Sequence, residues 1–329
     1  MRGIISAAGY LPHRRLDRTT IAAVAGTGGG KGTRTVASYD EDTTTLGVEA
    51  ARLALRTTTV RPTSLWFSTV APAYLDKTNA TAIHAALRLA PDVLAADLGG
   101  AIRSSVAALR AGLTGGGPAL VVSADVRTGL PGSADEAAGG DAGAALLVGD
   151  EADGPLLAEL VGVGTATDEF LDRWRTPGDS RSKQWEEKFG ETRYVPLGRA
   201  AFAAALADAG IDVDRVDRLV VAGPHGRAIK ALVKKLGVDS TKVADDLTGT
   251  IGNPGAAQAG LLLTAALEAA TPGQVIVLVS LADGADAFVF RTTEAIGSWT
   301  PAKPVADQAA AGAPVSYGKF LAWRGMLTP

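Results

Sequence analysis

The 329-residue chain contains no cysteine. That absence excludes disulfides and thiolate metal sites, and it removes the side chain best suited to hold an acyl group as a thioester. Histidine is nearly absent too. His13, His84 and His225 stand far apart and show no metal-ligand spacing, so no structural or catalytic metal is expected. No apolar run reaches the roughly 18 residues of a membrane span, and the opening Met1-Arg2-Gly3-Ile4-Ile5-Ser6 is too short an apolar run for a secretion signal. A cytoplasmic protein is expected, with no membrane partner. Charge of one sign is missing as well: 32 Lys and Arg face 35 Asp and Glu, with no basic block, which argues against nucleic acid.

What is present is the composition of a globular chain, 47% hydrophobic and 20% charged, long enough for about two domains or one large pseudo-symmetric one. Forty glycines and abundant alanine suit close packing of helices on sheet. The pattern alternates. Gly3 to Ala8, Ser64 to Val70, Ala119 to Ser123 and Gly139 to Gly149 read as strands. Thr44 to Leu55, Asn79 to Leu89 and Val106 to Leu113 read as helices. Such alternation implies an α/β fold with a largely parallel sheet covered on both faces.

One stretch recurs. Asp97-Leu98-Gly99-Gly100-Ala101-Ile102 and Asp246-Leu247-Thr248-Gly249-Thr250-Ile251 agree at four of six positions. Each copy is followed by an Ala/Leu-rich helical pattern, a Gly/Pro break and a β-rich strand ending in Ser123 or Ser280, which indicates an internal duplication. In the first copy the turn opens a helix, whose free backbone N–H groups would face whatever occupies it.

Other features have plainer readings. The loop Gly26-Thr27-Gly28-Gly29-Gly30-Lys31-Gly32-Thr33 lacks the Lys-Ser or Lys-Thr of a phosphate loop and is read as a flexible connection. Asp40, Glu41 and Asp42 read as acids at a helix start. Glu169 to Gly190 is charged and carries Trp174, Trp185 and Phe189 beside Arg173, Arg175 and Lys183. That mixture suits either a solvated insertion or the adenine and phosphates of a coenzyme. A helix is read over Arg199 to Ala209, then a strand and turn through Arg218 to Arg227 that contains His225. The last segment reads as a Pro-containing linker followed by an apolar face of Tyr317, Phe320, Leu321 and Trp323, which would dock on its own domain or on a partner. The divisions are 1–168, an N-terminal half; 169–198, an inserted segment; 199–295, a C-terminal half; and 296–329, a linker and partner-docking tail.

Gly9-Tyr10-Leu11-Pro12-His13-Arg14, Tyr39-Asp40-Glu41-Asp42-Thr43, Val48-Glu49-Ala50-Ala51-Arg52, the Asp97 turn, Gly139 to Ala145, Asp172-Arg173-Trp174-Arg175 and Ile251-Gly252-Asn253 occur in an order that resembles the thiolase superfamily, specifically archaeal and bacterial 3-hydroxy-3-methylglutaryl-CoA synthases. The resemblance spans nearly the whole chain. It implies the thiolase fold, five layers α-β-α-β-α from two similar halves, and a coenzyme A thioester as substrate with no covalently bound cofactor. The family's acyl-accepting Cys falls on Ile102, its Glu base on Thr69, and its His on Ala222, while His225 replaces an Asn. Only Asn253 keeps the family's Gly-Asn motif.

Condensation of this type needs a nucleophile, a base and an oxyanion hole, and Ile102 cannot be acylated. Ser104 and Ser105, the nearest hydroxyls, are read as helix-start groups. Two readings remain. The first is an acyl-CoA or acyl-carrier enzyme without a Cys nucleophile, an aldolase (lyase) cleaving by retro-aldol or retro-Claisen chemistry or else an acyltransferase. Its candidate catalytic groups are His225, Asn253, Tyr74 and Tyr194; Arg173, Arg175 and Lys183 are its candidate coenzyme ligands. The second is a non-catalytic scaffold or partner subunit, a homodimer or a heterodimer with a thiolase-like chain, or bound to an OB-fold zinc-ribbon protein.

Overall fold

A computed structural model describes residues 1–26, 28–179 and 181–327. Thr27 of the glycine-rich loop, Ser180 of the charged segment and the last two residues lie outside the described residues. The chain starts with β1 (Arg2–Tyr10), makes an excursion through β2 (Arg14–Asp17), α1 (Thr19–Ala25) and β3 (Thr33–Val36), and enters α2 (Thr43–Leu55). A capping box fixes that entry: Asp42 accepts the Thr45 N–H at 2.7 Å and the Thr45 hydroxyl accepts the Asp42 N–H at 2.7 Å. Of its acidic neighbours, Glu41 accepts from Ser38 and from the Tyr10 hydroxyl.

Next come β4 (Ser64–Ser68), α3 (Ala80–Ala86), β5 (Leu94–Asp97), α4 (Arg103–Thr114), β6 (Ala119–Asp125), α5 (Ala134–Ala138) and β7 (Ala142–Asp150). The chain continues through β8 (Ala158–Ala166), a small hairpin of β9 (Arg173–Trp174) and β10 (Lys183–Gln184), α6 (Glu187–Ala209), β11 (Arg218–Ala222), α7 (Gly226–Val233), α8 (Gln258–Glu268), β12 (Val275–Leu281) and β13 (Ala285–Thr292). It ends in α9 (Val305–Ala310), β14 (Ala313–Pro314) and α10 (Tyr317–Trp323). No helix among the described residues is long and apolar enough to cross a membrane.

The duplication is visible in the strand order. One half runs β1-β7-β6-β4-β5, and the other runs β8-β13-β12-β11 with a parallel bridge from Leu219 to Val243 standing where β5 stands in the first. In both halves the outer pairings are parallel, β4 with β5 and β6 and β11 with β12, and the inner ones antiparallel. The halves meet between β1 and β8 at only two residue pairs, Gly3 with Glu159 and Ile4 with Ala158.

Three buried clusters define the layers. Val106 and Leu109 of α4 and Leu262 and Leu263 of α8 pack between the two sheet halves together with Leu146 of β7 and Ile276 of β12. Leu46 and Leu53 of α2 cover the outer face of the first half, and Phe202 and Leu206 of α6 with Ile229 and Leu232 of α7 cover that of the second. The result is the five-layered α-β-α-β-α arrangement expected. At about 25 cal/mol per Å² of apolar surface removed from water, these interdigitated layers are the dominant favourable term in folding.

The structure departs from the sequence reading in three places. The sheet is mixed and not largely parallel: β1 with β7, β1 with β8, β6 with β7, β12 with β13 and β8 with β13 are antiparallel, and only β4 with β5, β4 with β6 and β11 with β12 are parallel, because strand and helix alternate strictly only along part of each half. β8 is paired along its length with β13, so residues 158–166 join the second half rather than closing the first. α6 starts at Glu187, not Arg199, and therefore spans the boundary drawn at 198/199. Gly190 and Pro196 act locally as helix breakers, but burial of Tyr194 and Val195 against the second sheet half overrides them. Of the two outcomes expected for the tail, docking on its own domain or on a partner, the structure shows the first. Val305 and Gln308 are buried, the Gln308 amide bridges Leu11 N–H and Gly9 C=O, and Tyr317, Phe320 and Leu321 pack on Leu16, Ile21, Val36 and Ala137 of the same chain.

Candidate active site

The first-half turn is held from below. Asp97 points away from the helix it precedes: its carboxylate accepts Asn79 N–H and Ala80 N–H, both at 2.7 Å, at the start of α3. Leu98 N–H donates to Phe67 C=O at 2.7 Å and Gly100 N–H to Thr69 C=O at 3.2 Å, so the turn follows the end of β4. Ile102 occupies the N-cap of α4 with helical torsions and no capping side chain. The neighbouring hydroxyls are engaged with backbone: Ser104 donates to Gly99 C=O at 3.2 Å and Ser105 to Ile102 C=O at 2.9 Å. Arg103 then fastens this mouth to the second half, donating to Asp286 at 2.8 Å, to Asp283 C=O at 2.8 Å and to Thr167 at 2.9 Å.

Asn253 is the corresponding anchor in the second half. Its backbone exchanges hydrogen bonds with Ala138 and Gly140 at the approach to β7. Its amide donates to Gly223 C=O at 2.7 Å and to Gln258 Oε1 at 3.1 Å, and its Oδ1 accepts Gly255 N–H at 2.9 Å. Gln258 Oε1 also accepts Gly223 N–H at 2.9 Å. Asn253 thereby ties the β11–α7 turn to the start of α8, and each of its polar atoms already has a partner.

His225 stands at the N-cap of α7. Its Nδ1 accepts Ala228 N–H at 3.0 Å, which puts the proton of the neutral ring on Nε2, and Nε2 is buried with no partner among the described residues. The ring lies 6.0 Å from that of Tyr194, whose hydroxyl accepts Asp283 N–H at 3.3 Å and faces Asp172. Burial pushes the Asp172 carboxyl up, against the pull of His225. Gly190 closes over the pair: a Cβ there would lie 2.5 Å from His225 Nε2 and 2.6 Å from Asp172 Oδ1. The structure thus brings His225, Tyr194 and Asp172 together in a sealed cluster, and Asn253 belongs to a separate loop tie. Tyr74 is apart from both, on the β4–α3 loop with 53% of its surface exposed.

The positions expected to carry the family's base and His are apolar or structural. Ala222 is buried. Thr69 donates its hydroxyl to Asp125 at 2.8 Å, and the same carboxylate accepts Val70 N–H at 2.8 Å and, from the other half, Ala256 N–H at 2.7 Å. Asp125 is fully buried and burial pushes its pKa up despite these donors. Asp125, Gln258 and Gly190 were not singled out from sequence, since nothing local marks them. Among the described residues no group of three metal-ligating side chains could hold an ion.

The three cations suggested as coenzyme ligands differ. Arg173 is committed to Asp135 through two bonds of 2.6 and 2.9 Å, so its fork is not free for phosphate. Arg175 donates to Val70 C=O at 2.5 Å. Lys183 is exposed, 3.8 Å from Asp179, and screened by solvent. Trp174, Trp185 and Phe189 form a chain of rings 6.4 and 6.0 Å apart.

The layered halves and their shared middle helices define a thiolase-fold protein, and similarity narrows this further. Residues 206–291 match a family described as 3-oxoacyl-[acyl-carrier-protein] synthase III C terminal. The hydroxymethylglutaryl-CoA synthase of Methanothermobacter thermautotrophicus is 30% identical across 99% of both chains, and that of Thermococcus sibiricus 31% identical across 89% of this chain and 87% of its own. Two solved structures superpose with TM-scores of 0.82. One is HMG-CoA synthase complexed with CoA, 17% identical over 97% of this chain and 89% of that one. The other is MvaS in complex with 3-hydroxy-3-methylglutaryl coenzyme A, 21% identical over 100% and 92%. Pseudomonas aeruginosa FabH follows at 0.74, 22% identical over 89% of this chain and 98% of its own. The chain belongs to the hydroxymethylglutaryl-CoA synthase family.

Proposed function

We propose that this protein binds an acyl thioester of coenzyme A, or of an acyl carrier, without ever carrying the acyl group on its own side chains. Relatives that act on and bind such thioesters support the ligand class. The observation that carries the second half of the statement is Ile102 at the mouth of α4, flanked by two hydroxyls already donated to backbone carbonyls.

Chemistry open to such a site is carbon–carbon cleavage of a β-hydroxyacyl thioester. A base takes the β-hydroxyl proton, the Cα–Cβ bond breaks to release a carbonyl compound, and its electron pair passes into the thioester enolate, which is protonated at Cα. The step is redox-neutral and needs no acyl-enzyme. Retro-Claisen cleavage would need an external nucleophile, a thiol or water, to add to the β-carbonyl, and acyl transfer an external acceptor. Tyr74, exposed on its own loop, and His225, once Gly190 is displaced, are the groups available for proton transfer; Asn253 holds the β11–α7 turn that carries His225.

A second reading, a non-catalytic subunit paired with a second copy, a thiolase-like chain or an OB-fold zinc-ribbon protein, is favoured by the sealed Nε2 of His225 and the fully partnered amide of Asn253. Calorimetric titration of the purified chain with acetyl-, acetoacetyl- and 3-hydroxyacyl-CoA, with carbonyl products followed in parallel, separates the two. Binding with carbonyl release supports the enzyme, binding without turnover supports the subunit, and no binding to any thioester contradicts the proposal.

A further inference from the structure

His225 is closed over in a way that leaves one of its bonds unmade. Only 9% of its surface is exposed, and the Nε2–H that its tautomer carries has no acceptor among the described residues. A buried donor without a partner raises the energy of the closed arrangement, because the same N–H would bond water or a ligand once uncovered. What covers it is a single turn of helix. A Cβ on Gly190 would lie 2.5 Å from His225 Nε2 and 2.6 Å from Asp172 Oδ1, so this turn of α6 closes only because position 190 has no side chain.

The covering turn is weakly joined to the helix it begins. Pro196 sits inside α6 and has no N–H to give to the Thr192 carbonyl. The Thr192 hydroxyl donates to Phe189 C=O at 2.7 Å and competes with the ladder bond to that carbonyl. Glu186, at the N-cap, makes no capping bond with its side chain. Beyond Pro196, Phe202 and Leu206 anchor α6 in the core of the second half. Before it, the ties reach outward: Glu191 accepts from Arg227 at 2.5 Å, and Arg193 pairs with Asp168 and lies 5.5 Å from the ring of Phe170. Both ion pairs are solvent-exposed and so hold the turn only lightly. Its apolar grip is Phe189, 6.4 Å from the ring of Phe170 and 6.0 Å from that of Trp185.

We infer that residues 187–193 form a lid over His225 and Asp172, hinged between the buried Tyr194 and Pro196, and that its opening presents the His225 Nε2–H to an oxygen acceptor on a ligand. The ring is already oriented for that donation, since Nδ1 is fixed by the Ala228 N–H. The lid follows from this geometry alone. That the acceptor is a thioester carbonyl rests on the proposed function above, and the experiment keeps the two apart.

Hydrogen exchange on the full chain tests it. With only three histidines, the His225 ring can be assigned by nitrogen-15 labelling, and the exchange of its Nε2–H set beside that of the backbone amides of 191–193 and of 200–206 farther along α6. One opening motion uncovers the ring and the lid together, so Nε2–H and the lid amides are expected to share one protection factor, at least about tenfold below that of 200–206. Glu191→Gln, which removes the charged tie to Arg227, should speed both by about two- to fivefold and leave 200–206 unchanged. Gly190→Ala, which wedges a methyl against the ring, should speed both further. Fast lid amides beside an Nε2–H as protected as 200–206 would mean that the helix end merely frays, and overturns the inference. Equal protection along all of α6 in the wild type and in Glu191→Gln overturns it as well. Saturating acetoacetyl-CoA is then added: a shift of the His225 Nε2 resonance supports the carbonyl as its partner, and no shift overturns that assignment and leaves the lid standing.

Discussion

Phe320→Ala tests how the C-terminal helix is held. The ring is fully buried and lies between two guanidiniums, 5.0 Å from that of Arg34 and 5.2 Å from that of Arg324, with Tyr317 stacked 6.1 Å away. Both arginines also bond the buried Asp141, whose second role is to accept Ala37 and Arg127 N–H groups. Removing a buried Phe leaves a cavity that costs about 3–5 kcal/mol. Each desolvated cation–π contact contributes about 1–2 kcal/mol, part of which is already inside that figure. The expected loss is therefore about 4 kcal/mol, read as a shift of the urea midpoint at unchanged slope. Phe320→Leu keeps most of the apolar volume and loses the ring faces, so it should cost less than half as much. Limited trypsin digestion supplies a local readout, with cleavage at Lys319 and Arg324 appearing in Phe320→Ala and not in the wild type. A loss below about 1 kcal/mol, within the range of exposed positions, would mean that the helix is not seated as described.

Two further outcomes follow from burial. Gly190 lies inside α6, where Ala is favoured over Gly by about 1 kcal/mol, but its Cβ would meet the His225 ring at 2.4 Å; the overlap, worth about 1–3 kcal/mol, should win. Gly190→Ala is thus expected to lower the melting temperature, and a rise would show that His225 and Asp172 are not closed over. Glu268 accepts Val305 N–H at 2.8 Å and burial pushes its pKa up to about 7. The fold favours its protonated form, so the stability it contributes is present at low pH and lost as pH rises through about 7. Glu268→Gln should therefore show a smaller drop in melting temperature between about pH 5.5 and about pH 8 than the wild type, and an equal drop would refute the assignment.

Much of this was written in local patterns. Leu65 and Phe67 of β4, the apolar run of β12 and the capping box at Asp42 are features that period and turn chemistry specify alone. The echo of Asp97 to Ile102 in Asp246 to Ile251 corresponds to the ends of the two outer strands, β5 and the Val243 bridge. What escaped depended on distant partners. Gly190 and Pro196 hide a helix that only burial of Tyr194 sustains. β8 is identified by β13, more than a hundred residues on in the chain. In the tail, Tyr317 gives no sign that its hydroxyl will donate to the buried Glu136 at 2.8 Å. At the site, Ile102 marks the missing nucleophile locally, whereas the enclosure of His225 and Asp172 depends on Gly190, more than thirty residues before the histidine.

The most direct test of the central claim is the intact mass of the protein after incubation with acetyl-CoA and acetoacetyl-CoA, with Ile102→Cys alongside as a control that places a thiol at the start of a helix. The wild type should keep its unmodified mass with every thioester. An added acyl group on the wild-type chain, mapped to any residue around the mouth of α4, would contradict it.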